Sequence, residues 1–154
     1  MNYVISDIHG CYEQYMKLLD KIHFSERDTL YLLGDLVDRG PEPMEVVKDV
    51  MRRKNVVTIM GNHDYRALRI LERFDPHGTI INSEDLLTCK YWIKDGGKST
   101  VQGFLNMSLH ERSEFLDYFG LNSIDDLPDM RDFITQDENE DEVDLYHSKY
   151  KEQN

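Results

Sequence analysis

Three times before residue 73 the chain repeats one pattern: a short apolar run, a polar loop, and a stretch with helical spacing. The runs are Tyr3-Val4-Ile5, Leu30-Tyr31-Leu32-Leu33 and Val56-Val57-Thr58-Ile59-Met60. Each is short and dominated by Val, Ile, Leu or Tyr, as expected of buried strands. Between them, residues 12–22 set Tyr15, Leu18, Leu19 and Ile22 on one helical face. Residues 43–53 do the same with Val46, Val47, Val50 and Met51, and Pro43 suits the first turn of that helix. The period of about 27 residues is what βαβ units with short loops need, which makes the strands parallel neighbours. The pattern predicts an α/β fold.

Beyond Glu72 the punctuation changes. Asp75-Pro76-His77-Gly78 reads as a loop, residues 83–92 as a helix, and Asp95-Gly96-Gly97 as a turn. Ser108-Leu109-His110-Glu111 has the spacing of a capping box, so a helix should open there, run to Phe119 and end at Gly120. Residues 137–144 hold six acidic residues in eight, and residues 149–154 are polar apart from Tyr150. The expectation is a folded domain over residues 1–135 and a flexible acidic tail over 136–154.

Composition narrows the partners. The 154 residues carry 18 basic against 30 acidic side chains, a net charge of −12. A nucleic-acid backbone is therefore excluded as an expected partner. An anionic substrate would be repelled too, unless bound metals supplied local positive charge. No apolar stretch approaches the roughly 20 residues of a membrane span, and the N-terminus lacks a charged-then-apolar signal pattern. Cys11 and Cys89 have no metal-ligand spacing and read as two free thiols of a cytoplasmic protein.

Parallel strands collect ligands at their carboxyl ends, where each of the three runs here delivers a polar loop. The loops are Asp7-Ile8-His9-Gly10, Gly34-Asp35-Leu36-Val37-Asp38-Arg39-Gly40 and Gly61-Asn62-His63-Asp64. Carboxylates crowded in this way repel one another unless cations sit among them. Oxygen and imidazole donors without thiolates suit Mn, Fe, Zn or similar divalent ions. Any one of these aspartates alone would read as a turn residue or helix cap, and either histidine alone as a surface or core residue. Cys11, His23, His77 and His110 are read as structural.

Asp-x-His-Gly, Gly-Asp-x-x-Asp-Arg-Gly and Gly-Asn-His-Asp, in this order and each after an expected strand, resemble the calcineurin-like metallophosphoesterases. Within them the chain is most similar to the branch of bacterial serine/threonine protein phosphatases and symmetrical diadenosine tetraphosphatases. The resemblance is strong over residues 2–72. Tyr91-Trp92-Ile93-Lys94-Asp95-Gly96-Gly97 through Thr100 also resembles a Trp-x-x-Asn-Gly-Gly-x-x-Thr segment of bacterial members, with Asp95 in place of the asparagine.

This resemblance implies a β-sandwich flanked by helices (αββα), with a largely parallel first sheet. It implies two divalent metal ions, with Mn as the first expectation and Fe, Zn or Mg as alternatives. Asp7 and His9 would hold the first ion, Asp35 would bridge both, and Asn62 would offer its amide oxygen to the second. A water between the ions would be the nucleophile. His63 would protonate the leaving oxygen with Asp38 orienting it, and Arg39 would clamp phosphoryl oxygens. For Arg39 a structural salt bridge is the rival reading.

Two further histidine motifs of the family, His-Ala-Gly and Gly-His-Thr in kind, are missing from this sequence. His147 in Val143-Asp144-Leu145-Tyr146-His147 is the nearest substitute, although Ser148 and Lys149 follow it rather than Ala-Gly. The sandwich is thus expected to be incomplete, with one face of the first sheet under-covered. A truncated chain, a naturally short relative, and a domain completed by an oligomer or another chain all fit that expectation.

Three functions follow. A phosphoprotein phosphatase acting on a phosphorylated protein or small phosphoester is put first, because Asp38 precedes Arg39 where the tetraphosphatases often carry Ala. A symmetrical dinucleoside polyphosphate hydrolase is the alternative. Asp64 favours it, since many protein phosphatases have Glu there, and so does Met60, where many have Arg. A non-catalytic metal-binding fragment is the third.

Overall fold

The computed structural model describes residues 1–74, 77–78 and 83–121. The threefold pattern folds as expected: β1 (Asn2–Ile5), α1 (Tyr12–Lys21), β2 (Thr29–Leu32), α2 (Pro43–Arg52), β3 (Val56–Thr58) and α3 (Asn62–Leu71). The strands form a parallel sheet in the order β1-β2-β3, with Tyr3 opposite Leu30 and Leu30 opposite Val56. Pro43 stands in the first turn of α2, where its missing N–H has no helical partner to lose.

The monotonic strand order has a consequence for burial. Two right-handed crossovers running in the same direction place both connecting helices on the same face of the sheet. Accordingly α1 packs on α2. On the helix side Leu30 and Leu32 are buried, at 0% and 1% exposure, with Val46, Val47 and Val50 of α2 packed in the same core. On the other face Val4, Tyr31 and Val57 stand in register and are exposed, as are Leu33 and Ile59 beyond the strand ends. The strands are therefore buried on one face, not two, because no helix of the described residues crosses to the other side. A second sheet is not among the described residues.

Residues past 82 form α4 (Ser83–Trp92), a π-helical turn (Ile93–Gly97), α5 (Lys98–Asn106) and α6 (Leu109–Leu121). Gly96, at φ 110°, breaks the helical backbone between α4 and α5. That region of φ is costly for any residue with a Cβ. The turn expected at Asp95-Gly96-Gly97 is thus the π-helical link between two helices.

The Ser108–Glu111 capping box forms as expected. Glu111 N–H donates to Ser108 Oγ at 3.3 Å, and Glu111 Oε2 accepts from Ser108 N–H at 2.8 Å. Gly120 does not end α6, which runs on through Leu121. Phe115 and Phe119 bury themselves in the core, and that packing outweighs the roughly 1 kcal/mol a helical glycine costs. Cys11 and Cys89 are free thiols. No helix of the described residues is long and apolar enough to cross a membrane. The acidic segment 136–154, the boundary at residue 135 and His147 lie outside the described residues.

Candidate metal centre and the buried aspartate–histidine pair

The three loops at the carboxyl ends of β1, β2 and β3 are tied to one another through the backbone. His9 N–H donates to Asp35 O and Gly10 N–H to Leu36 O, each at 2.8 Å, and Gly40 N–H returns to His9 O at 2.8 Å. Gly34, at φ 85°, lies so close to the third loop that a Cβ on it would collide with Gly61 N and Cα. Asp7, His9, Asp35, Asp38 and Arg39 all adopt positive φ, between 45° and 69°. For a residue with a side chain this left-handed region costs of order 1 kcal/mol. Among the described residues only one other non-glycine, His23, does so. Backbone strain is thus concentrated where the sequence places its chemistry.

Two groups of side chains result. In the first, Asp7, His9 and Asp35 each offer a ligand atom, and these atoms lie within 4.8 Å of one another. His9 Nδ1 donates to Val37 O at 2.9 Å, which turns the Nε2 lone pair toward Asp7 Oδ1, 3.7 Å away. Asp7 Oδ2 accepts from Ser6 Oγ. Asp35 Oδ1 accepts from His63 N–H at 3.0 Å, in the first turn of α3, where the helix dipole favours negative charge. The Asn62 amide lies 3.2 Å from both Asp35 oxygens. With its NH2 turned inward it donates to the carboxylate; with its oxygen inward it completes an all-oxygen cluster that only a cation makes favourable. Carboxylate, amide and imidazole donors in this arrangement fit a divalent ion of the Mn, Fe or Zn kind.

In the second group, His63 Nδ1 donates to Asp38 Oδ2 at 2.7 Å, with Asp38 at 0% and His63 at 3% exposure. Arg39 joins the two groups. Its Nη1 donates to His9 Nε2 at 2.9 Å and its Nη2 to His63 Nε2 at 3.0 Å, between imidazoles whose centroids are 4.9 Å apart. Among the described residues the Arg39 guanidinium has these two imidazoles, and no carboxylate, as side-chain partners. Instead a guanidinium stands where His9 has a lone pair to offer a cation. Asp7, Arg39 and Asn62 are exposed, so the site opens to solvent on their side.

All seven residues expected from the sequence thus come together. Three others at the site carried no assigned role. Asp64, 1% exposed, accepts from Leu36 N–H at 2.8 Å, Val37 N–H at 3.2 Å and Gly61 N–H at 3.0 Å, bracing the second loop against the third. Burial pushes its carboxyl up to about 6, with the nearby Asp35 adding to the shift and the three N–H donors opposing it. Trp92 and Thr100 reach Asp38 from α4 and α5. The local signal for Asp64 was its place three residues after Gly61, where a carboxylate reaches back to the helix start. For Trp92 and Thr100 the signal was their membership of the 91–100 segment.

The family model described as calcineurin-like phosphoesterase matches residues 3–152. A symmetrical bis(5'-nucleosyl)-tetraphosphatase of Nitrosococcus oceani is 42% identical over 87 residues, which are 55% of this chain and 30% of that protein. The protein of the same name from Baumannia cicadellinicola is 40% identical over 103 residues, 60% of this chain and 35% of its own. That from Buchnera aphidicola of Acyrthosiphon pisum is 49% identical over 70 residues, 44% of this chain and 26% of its own. The match spans about a third of the length of these curated relatives.

Proposed function

Because the chain belongs to the calcineurin-like phosphoesterase family, we propose that it forms the metal-binding part of a hydrolase that splits dinucleoside polyphosphates symmetrically. The observation that carries this reading is the Asp7, His9 and Asp35 cluster, with ligand atoms within 4.8 Å of one another. The names of the relatives favour a dinucleoside tetraphosphate over the phosphoprotein substrate put first from the sequence.

In this proposal Asp7, His9, Asp35 and Asn62 would hold two divalent ions, Mn foremost. Ions held there supply charge neutralisation and a lowered pKa for an attacking water. Water adds to phosphorus and gives up a proton to solvent, the bond to the leaving oxygen breaks, and His63, protonated at both nitrogens, gives that oxygen the proton of Nε2 and is neutral afterwards. Asp38 fixes the imidazole by accepting from Nδ1. Once Nε2 carries a proton it no longer accepts from Arg39, whose Nη2 now sits on it. Arg39 then turns to the acceptors a substrate brings, the phosphoryl oxygens, which its planar fork suits.

A second reading, a phosphomonoesterase acting on phosphoproteins, is favoured by the Asp38–His63 contact, since the resemblance places Asp38 where the tetraphosphatases often carry Ala. Assaying the full chain with added Mn against diadenosine tetraphosphate and a phosphopeptide separates the two. Release of two equivalents of ADP, lost in Asp35→Asn, is the expected result. Turnover of the phosphopeptide alone would favour the second reading. Fewer than two metals per chain and no hydrolysis of a generic aryl phosphate would leave a non-catalytic metal-binding fragment.

A further inference from the structure

Asp38 receives more hydrogen bonds than orienting one histidine requires. Its Oδ2 accepts from both His63 Nδ1 and Trp92 Nε1, each at 2.7 Å. Its Oδ1 accepts from Thr100 Oγ1 at 2.6 Å, and the same hydroxyl oxygen accepts from the Asp38 backbone N–H at 2.9 Å. All four side chains are buried: Asp38 and Thr100 at 0%, Trp92 at 1%, His63 at 3% exposure. Thr100 therefore grips Asp38 at both main chain and side chain, and its hydroxyl has a single orientation that serves both. Trp92 and Thr100 come from α4 and α5, elements the three metal-site loops do not contain. The link between those helices is shaped around the same spot. Gly96 O accepts from Arg39 N–H at 2.9 Å, and a Cβ on Gly97 would collide with the Trp92 indole.

We infer that Trp92 and Thr100 are positioning residues for proton donation: they aim the Asp38 carboxylate at His63 and so determine which imidazole nitrogen faces the leaving group. The inference rests on the proposed role of His63 as proton donor. A carboxylate held by Trp92 and Thr100 keeps one rotamer, in which the remaining acceptor direction of Oδ2 points along the His63 Nδ1–H bond. Removing the Thr100 hydroxyl leaves Oδ1 without a partner and the Asp38 N–H without an acceptor. The carboxylate then rotates to recover them, and the imidazole loses its fixed Nδ1–H form. Both residues act through Asp38, and among the described residues their side-chain hydrogen bonds go to Asp38 and to none of Asp7, His9, Asp35 and Asn62.

The first arm of the test needs no turnover. In the histidine- and tryptophan-labelled full chain, the Trp92 Nε1–H and His63 Nδ1–H proton resonances are expected far downfield, as donors to a buried carboxylate. Asp38→Asn should move both. Thr100→Val should move the His63 resonance and raise the population of the Nε2–H form, and Thr100→Ser, which keeps the hydroxyl, should restore the wild-type spectrum. Trp92→Phe provides a second, independent variant, and the dispersion of the remaining resonances shows that each variant is folded. An unchanged His63 tautomer in folded Thr100→Val and Trp92→Phe overturns the inference, whatever the hydrolysis assays give.

The second arm compares leaving groups. Thr100→Val should lower kcat about 10- to 100-fold for a poor, alkoxide-like leaving group with KM nearly unchanged, and much less for nitrophenolate, which needs no proton. Equal losses for both leaving groups would refute a role in proton donation. A chain that hydrolyses neither substrate would refute the proposed function, while the resonance arm still decides the positioning.

Discussion

Asp64 accepts from backbone N–H groups on two different loops, and burial pushes its carboxyl from the ordinary 3.8 up to about 6. Asn at this position keeps an oxygen for the Leu36 and Val37 donors but turns an NH2 toward the Gly61 N–H. Asp64→Asn should therefore cost about 1–3 kcal/mol in urea denaturation, the penalty of a buried donor without an acceptor. The pH dependence has a definite sign. The folded value lies above the unfolded one, so the folded chain holds this proton more tightly. The contribution of Asp64 is full below about pH 4 and is lost as pH rises to about 6. Denaturation midpoints in metal-free buffer should show wild type losing stability relative to Asp64→Asn across that window. A flat difference would mean that the carboxyl titrates at its ordinary value.

At the scale of elements, α6 is held at its start by a cap and at its end by packing. Ser108 and Glu111 satisfy each other's backbone donors, and Glu111 also pairs with Lys48 of α2 at 3.0 Å. The Ser108 backbone donor first, then Lys48 and the Ser108 hydroxyl, hold the Glu111 carboxyl down at about 2. Its folded value is depressed, so this stabilisation is present above about pH 4.5 and lost as pH falls toward 2. Thermal melts should show Ser108→Ala costing about 1 kcal/mol near neutral pH and less in acid. At the other end, nothing lies within 4 Å of a Cβ placed on Gly120. Gly120→Ala should raise stability by about 0.5–1 kcal/mol, because it removes unfolded-state freedom without a clash. Destabilisation would show that this glycine is needed for a backbone conformation that α6 does not have here.

At the scale of the molecule, the sheet has a packed face and a bare one. Leu30, at 0% exposure, and Val57, at 48%, belong to neighbouring strands of that sheet yet differ in what surrounds them. Leu30→Ala should cost about 2–5 kcal/mol, as for other buried leucines. Val57→Thr should change stability by less than about 0.5 kcal/mol, the usual range at an exposed site. Chemical denaturation of both variants measures this contrast directly. A large loss for Val57→Thr would show that the bare face is covered in solution. The net charge of −12 belongs to this scale too. Under the proposed function, cations at the three-loop edge would be the means by which so acidic a chain receives a phosphate.

The sequence by itself determined the β-loop-α repeat and the three polar loops, and with them Asp7, His9, Asp35, Asp38, Arg39, Asn62 and His63. Those loops follow local rules: short apolar runs make parallel strands, and parallel strands bring their carboxyl ends to one edge. The capping box at Ser108 was legible for the same reason, since a helix start is settled within four residues. The end of α6 was not legible, because packing by Phe115 and Phe119 overrode the local preference of Gly120. Only the tertiary structure decided that Trp92 and Thr100 grip Asp38, 54 and 62 residues away along the chain. It likewise decided that Asp64 braces two loops and that the guanidinium of Arg39 lies between two imidazoles. Apart from the local Gly61–Asp64 bond, these contacts join groups far apart in sequence, so their existence depends on how helices stack against loops. No periodicity or spacing in a single sequence encodes that.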